Sequence, residues 1–309
     1  MYKTKKQKVV VSSFLALIFA EILWGVNTPV IKLGLETVPL PLYLSITILG
    51  AALLMVPLAV KNWKPLRRKD YALLAIGAII AITLGNVALL AGLQKVPSLN
   101  ASLIGLFSPL LLFMLSVQFL KERMSLKTFL GILIAFAGSA IVIGKPWDIA
   151  STNSDVLTGN LLIVLAVFCD VIGTLIAKSV LKRVNVYQVT FITLLVGILP
   201  VAVFSIQYLY ALSPSHAGKN GFLAMGFNIV AITFANYLFM YGLKHRKAQE
   251  VGVFGYVHPI ATAVAAWFIL AEVPDKKLIT GAVLIFIGIY LVEVKLTRNV
   301  RLRYRPRKV

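Results

Sequence analysis

The stretch 105–138, GLFSPLLLFMLSVQFLKERMSLKTFLGILIAFAG, decides the fold because the chain carries it twice. At an offset of 150 it meets 255–288, GYVHPIATAVAAWFILAEVPDKKLITGAVLIFIG, and the match runs without a gap over 86–145 and 236–295. Asn86 pairs with Asn236, Gly105 with Gly255, Pro109 with Pro259, Glu122 with Glu272, Gly131 with Gly281 and Gly138 with Gly288. Chance does not keep that many Gly, Pro, Asn and Glu residues in register, so an internal repeat sets the architecture. Upstream the register slips to about 146–149 and the match weakens.

The repeat lies in an apolar chain. Of 309 residues, 59% are hydrophobic and 14% charged, with mean hydropathy +0.89. A soluble globule carries about a quarter charged residues, so this composition reads as a membrane protein. A hydrocarbon core about 30 Å thick needs roughly 20 apolar residues per helix. The apolar runs 10–32, 39–60, 71–93, 97–120, 125–144, 158–178, 187–210, 221–243, 249–271 and 277–295 predict an all-α fold of ten transmembrane helices. Five spans fall in each repeat, at 1–145 and 158–295, joined by an external linker at 146–157 and followed by a basic tail at 296–309. The first run continues past Trp24-Gly25 without a small-residue cleavage site, so it reads as a retained helix rather than a signal peptide. Cys169 is the one cysteine, which rules out an internal disulfide.

Charge gives the orientation. The net charge of +20 comes from Lys and Arg residues that punctuate the apolar runs instead of forming one face, which argues against nucleic acid as a partner. Placing alternate loops on opposite sides puts 25 of the 31 basic residues on one side. Basic loops are retained in the cytoplasm, so both termini are expected inside, in the plasma (inner) membrane. Arginines 301, 303, 305 and 307 of the tail suit anionic head groups. Because five is odd, the second repeat enters from the opposite face, and the two five-helix repeats are inverted. Inverted repeats build a midplane site open to each side in turn, as in secondary transporters.

Particular motifs carry a family likeness. Trp24-Gly25-Val26-Asn27 with Pro29 and Lys32, then Leu120-Lys121-Glu122-Arg123 followed by Gly131 and Gly138, and its echo Leu270-Ala271-Glu272 followed by Gly281 and Gly288, resemble the EamA family of the drug/metabolite transporter superfamily. The second repeat has Ile172-Gly173-Thr174 where a Trp-Gly pair would match. The resemblance implies ten helices in two repeats, a central cavity and transport of small metabolites, frequently amino-acid export.

Ionisable groups inside spans cost about 2.5–3.5 kcal/mol each on insertion scales, so they are the first candidates for mechanism. Glu21 in span one and Asp170 in span six are near-equivalents that could carry a proton or bind a substrate amine. Asn86 and Asn236, with Asn27, offer amides that orient a substrate or tie helices together. His258 precedes Pro259, a kink candidate, while Ser108 precedes Pro109. Tyr237, Tyr241 and Tyr256 could face the cavity with a hydroxyl and an aromatic surface, with core packing the default reading. Trp24, Gly25, Pro109, Glu122, Pro259 and Glu272 read as structural. Gly77, Ala81 and Gly85 allow close helix approach.

These residues predict a secondary transporter of small metabolites working by alternating access, with a small molecule, the bilayer and a proton as partners. An exchanger of phosphorylated sugars, using Lys32 or Lys178, and a cationic-drug/proton antiporter are alternatives. A membrane enzyme would need an acidic or histidine cluster that the sequence lacks. There is no Walker-type loop for ATP, no histidine pair at zinc spacing, and no cofactor is implied.

Overall fold

In the computed structural model the described residues are 2–93, 95, 104–123, 125–143, 154–270 and 276–302, and every regular element among them is helical. The first half holds α1 (Tyr2–Leu35), α2 (Leu40–Lys61), and α3 (Arg68–Ala78), which passes through a π turn (Ile79–Leu84) into α4 (Gly85–Leu93). It ends with α5 (Ser108–Phe119) and α6 (Leu126–Ile143). The second half holds α7 (Ser154–Leu181), α8 (Val186–Ser205), α9 (Pro214–His245), α10 (Ala248–Gly252), α11 (Val257–Leu270) and α12 (Lys276–Leu302). Short 3-10 turns at Ile206–Leu212 and Val253–Tyr256 join α8 to α9 and α10 to α11.

Seven stretches are long and apolar enough to cross a membrane: Lys8–Leu35, Leu40–Lys61, Arg68–Leu89, Ser154–Leu181, Val186–Leu212, Ser215–His245 and Ala248–Ile269. Three of the ten expected spans appear among the described residues as shorter apolar helices, Ser108–Phe119, Leu126–Ile141 and Ile279–Val292. The expected run 97–120 is cut because a turn precedes Ser108, and 96–103 lie outside the described residues. The basic tail expected from 296 is helical as far as Leu302, and α7 begins inside the expected linker, at Ser154.

The two prolines act differently from the kinks expected of them. Pro109 is the second residue of α5 and Pro259 the third of α11, and each follows a non-α turn, at 106–107 and at 253–256. Proline lacks an N–H, which the first turn of a helix does not need, so each proline starts a new helix instead of bending an old one. Carbonyls freed by such breaks need partners inside hydrocarbon. Tyr256 Oη donates to Leu106 O at 3.0 Å, and Ser139 Oγ donates to Tyr256 O at 3.5 Å. Leu106 and Tyr256 are repeat equivalents, so the two breaks meet, with Tyr256 serving the first and Ser139 of α6 the second.

Glycines show how the halves combine. A Cβ on Gly138 of α6 would sit 2.6 Å from Gly281 O of α12, and one on Gly131 would sit 2.7 Å from Gly288 O. Gly131 is equivalent to Gly281 and Gly138 to Gly288, so swapping the repeats turns each contact into the other. Antiparallel packing of equivalent helices has this property, with a two-fold axis across them. The pairing of α1 with α9 has its equivalent in that of α4 with α7, and α2 packs on α8. Gly77 meets Ile176, Ala81 meets Gly173 and Gly85 meets Cys169, as the small-residue row predicts.

The core is unequal at the two ends. On the basic face, where the loops at 61–69, 121–127 and 244–247 lie, one continuous cluster joins both halves through Leu17, Leu74, Phe113, Val180, Val189, Leu243, Val251, Phe254 and Ile285. Toward the other face the core divides into separate groups around Leu42 and Met225, around Ala52 and Ile198, and around Ile104 and Ile163. Polar bonds reinforce the basic face: Asn185 Nδ2 donates to Asn62 O, Gln188 Nε2 to Lys64 O and Lys244 Nζ to Val184 O, each at 2.7 Å.

Overpacking a seam this tight costs typically about 1–3 kcal/mol. Gly138→Val is therefore expected to lower the thermal unfolding midpoint of detergent-purified protein by several degrees. Gly226→Ala, whose Cβ meets nothing within 4 Å, is expected to leave it unchanged or raise it slightly. Size-exclusion after a heating series reads both.

Candidate functional site

Leu17, Glu21, Trp24 and Thr28 recur at helical spacing on one face of α1. At about 100° per residue the exposed Val11, Leu15, Phe19 and Ile22 centre roughly 145° away, which suits a lipid-facing stripe. Glu21 is only 5% exposed. The Trp24 ring meets Phe239 of α9 at 5.3 Å between centroids. Thr28 Oγ1 donates to Trp24 O at 3.1 Å and lies 3.3 Å from His258 Nε2 on α11. Gly25 allows that approach, since a Cβ there would be 2.5 Å from Ala261 Cβ and 2.8 Å from His258 O. The Trp-Gly pair thus seats α11 with its glycine and turns its indole toward α9.

Asp170 is exposed although its neighbours Cys169 and Val171 are buried. The exposed apolar stripe of α7, Leu161, Val164, Leu165, Phe168 and Ile172, lies about 180° from it around the helix. A residue opposite the lipid stripe and still open faces an internal space. Asp170 is near enough for its charge to act on Glu21, which brings one carboxyl from each half into the same neighbourhood. Two carboxyls there can share a proton or jointly hold an ammonium group.

The asparagines divide into two kinds. Asn86 Nδ2 donates to Ile82 O at 2.7 Å and Asn236 Nδ2 to Ile232 O at 2.9 Å, the same bond in both repeats. Each amide is half-buried and keeps its Oδ1 as an acceptor. Asn27 instead is 2% exposed and donates to Asn228 Oδ1 of α9 at 2.5 Å. It is an interhelical tie, about 120° around α1 from Glu21.

The tyrosines are packed rather than open to a cavity. Tyr256 is 1% exposed, in the core, with its hydroxyl engaged by Leu106. Tyr237 and Tyr241 are half-buried against the main core cluster, on the side of α9 that carries the exposed Leu223, Phe227, Val230 and Phe234, whose stripe centres roughly 150° from Asn236. Tyr237 stacks on Tyr187 at 5.0 Å, and Tyr241 lies 2.8 Å from Ser12 Oγ. They suit an aromatic belt at the membrane interface better than a cavity wall. An apolar crevice of about 460 Å³ beside α2, α4 and α8, lined by Pro41, Val87, Val201 and Phe204 among others, has no ionisable group in its lining.

Comparison with known proteins decides the family. The EamA-like transporter family matches residues 11–144 and again 157–294. The chain belongs to this family. YetK of Bacillus subtilis, called an uncharacterized transporter, is 25% identical over 94% of this chain and 88% of its own length. YvbV of the same organism, named likewise, is 26% identical over 91% of each. An uncharacterized transporter of Archaeoglobus fulgidus is 29% identical over 76% of this chain and 80% of its own. A crystal structure at 17% identity superposes with a TM-score of 0.78, covering 93% of this chain and 98% of that one, which speaks for the fold alone.

In this EamA protein the repeated Glu122 is structural in its contacts. Its Oε1 accepts from Ala248 N at 2.9 Å and its Oε2 from Gln249 N at 3.3 Å, closing the start of α10. A carboxylate suits the positive end of a helix. Glu272 lies outside the described residues. Lys178, expected to snorkel to water or hold a phosphate, is 8% exposed and donates to Leu243 O and Arg246 O at the end of α9. Arg246 is also buried. Its Nε donates to Ser13 Oγ at 2.9 Å and its Nη2 to Val10 O at 2.8 Å, between the rings of Phe14 and Phe254. Arg183 pairs with the buried Asp70 at 2.7 Å from Nε, and that carboxylate holds the guanidinium above its ordinary value. Sequence reasoning missed Asn228, Asp70 and Arg246 as partners. Asn228 was visible as a polar residue in an apolar run, but nothing in the pattern joined it to Asn27.

A double-mutant cycle separates tie from substrate ligand. Asn27→Leu alone leaves Asn228 unpaired and is expected to destabilise by about 1–3 kcal/mol. Adding Asn228→Leu is expected to cost less than the sum of the two single changes. Denaturation of the four proteins in detergent measures the coupling, and additive losses would break the pair assignment.

Proposed function

We propose that this protein is a secondary transporter that exports small metabolites, amino acids or related compounds foremost, across the plasma membrane by alternating access. The observation that carries this reading is the nearness of Glu21 and Asp170, one acid from each repeat. Family membership supplies transport itself. The antiparallel exchange of Gly131 and Gly138 with Gly288 and Gly281 supports oppositely threaded repeats. In the proposed topology the shorter apolar helices complete ten spans, and the basic face is cytoplasmic, with both termini on it.

A substrate with both an amine and a carboxylate fits this lining. The ammonium meets the acids, and Thr28, Asn86, Asn236 and His258 offer hydrogen bonds to the rest. Either acid can take up a proton when the substrate leaves, which couples flux to a pH gradient. A second reading, an organic-cation/proton antiporter, rests on the Trp24–Phe239 pair next to Glu21, because aromatic faces attract cations. The phosphorylated-sugar alternative is weaker, since Lys178 is already spent on two carbonyls.

Flux of an amino-acid and organic-cation panel into or out of liposomes, with and without a pH gradient, tests the reading. Glu21→Gln is expected to abolish gradient-driven flux while leaving membrane insertion and monodispersity intact. Asp170→Asn is expected to reduce it at least tenfold, the order of effect seen when a proton-transfer group is removed. Unchanged flux in both variants would remove the acids from the mechanism.

A further inference from the structure

Helices α7 and α9 touch over only a short stretch. That stretch is at the basic face, where Lys178 near the end of α7 reaches the carbonyls of Leu243 and Arg246 that finish α9. The last carbonyls of a helix lack intrahelical donors and form its negative end, so a buried ammonium there satisfies both the hydrogen bonds and the charge. The charges of Glu122 and Glu250 also act on Lys178. Glu122 itself holds the start of α10. Arg246, whose carbonyl Lys178 engages, fastens the end of α9 to α1 through Ser13 and Val10. Helix α1, the ends of α7 and α9, the start of α10 and the loop after α5 are therefore joined through two buried cations, Lys178 and Arg246.

This is also where the core is continuous across both halves, whereas it is divided toward the other face. The space that holds Glu21 and Asp170 is thus shut on the basic side. Opening it there requires the ends of α7 and α9 to part; Lys178 bridges them from α7, and Lys244 bridges them from α9 through Val184 O.

We propose that Lys178 is a latch: by bridging the ends of α7 and α9 it holds the internal space closed at the basic face, and its release opens that mouth. This rests on the alternating-access reading above but concerns the gate rather than the acids. Removing the cation shifts the population toward the state open on the basic side without removing either acid.

The test reads sidedness rather than transport. A reporter thiol at Thr28→Cys in a Cys169→Ser background is labelled by a membrane-impermeant maleimide in right-side-out and in inverted vesicles. Adding Lys178→Met is expected to raise the labelling rate from the basic side by about tenfold and to lower it from the other, as a population shift requires. Lys178→Arg, which keeps a cation, is expected to stay near the parent. Should Lys178→Met fail to assemble, Lys178→Gln, which keeps hydrogen-bond donors but no charge, gives the same reading. An unchanged ratio of the two rates in a monodisperse neutral variant would overturn the latch, as would equal labelling from both sides in the parent. Because no substrate is needed, loss of the latch and loss of the acid mechanism are told apart.

Discussion

Hydrocarbon provides no hydrogen bonds, so a chain that crosses it must satisfy its backbone internally, and every departure from the α-helix needs a local remedy. The two breaks ahead of Pro109 and Pro259 are such departures. Tyr256 remedies one by donating to Leu106, and Ser139 remedies the other by donating to Tyr256. Because those groups come from different repeats, the breaks cannot be satisfied unless the halves are together. The end of α9 obeys the same rule, with Lys178 serving its last carbonyls and Glu122 the following amides.

Close packing does the remaining work. Lipid tails are as apolar as leucine, so helices associate through contact and not through escape from water. Backbone contact at Gly131, Gly138, Gly281 and Gly288 joins α6 to α12, and Gly25 lets α11 onto α1. Removing side chains at these points leaves the polar residues free to gather elsewhere. Glu21, Trp24 and Thr28 occupy the face of α1 beside the glycine on which α11 seats.

The helical class, the repeat and the small-residue seams were legible because each depends on spacing along the chain. The in-span acids were legible because charge in an apolar run stands out. What depended on direction around a helix was not. Tyr237 and Tyr241 carry hydroxyls that suit a cavity, but their angle on α9 places them on the side of the exposed stripe, and Asn27 faces Asn228 rather than Glu21. The role of the prolines was misread because sequence alone gives a proline in an apolar run, not the helix start around it. Arg246 and Lys178 looked like topology signals, yet burial gives both a bonding role that a loop charge count does not reveal.

The π turn between α3 and α4 has a mechanical side. It keeps one surplus residue in a helix, closing with Gly85 N on Ile80 O, where Thr83 Oγ1 reaches Gly197 O of α8. A surplus residue can travel, since each step exchanges one backbone bond for another, and such turns are frequent at functional sites. Asn86 follows the turn directly. Passage of the surplus beyond it would swing its amide by about 100°, so this helix can re-aim a side chain by creeping along its own thread, without bending or tilting as a rod.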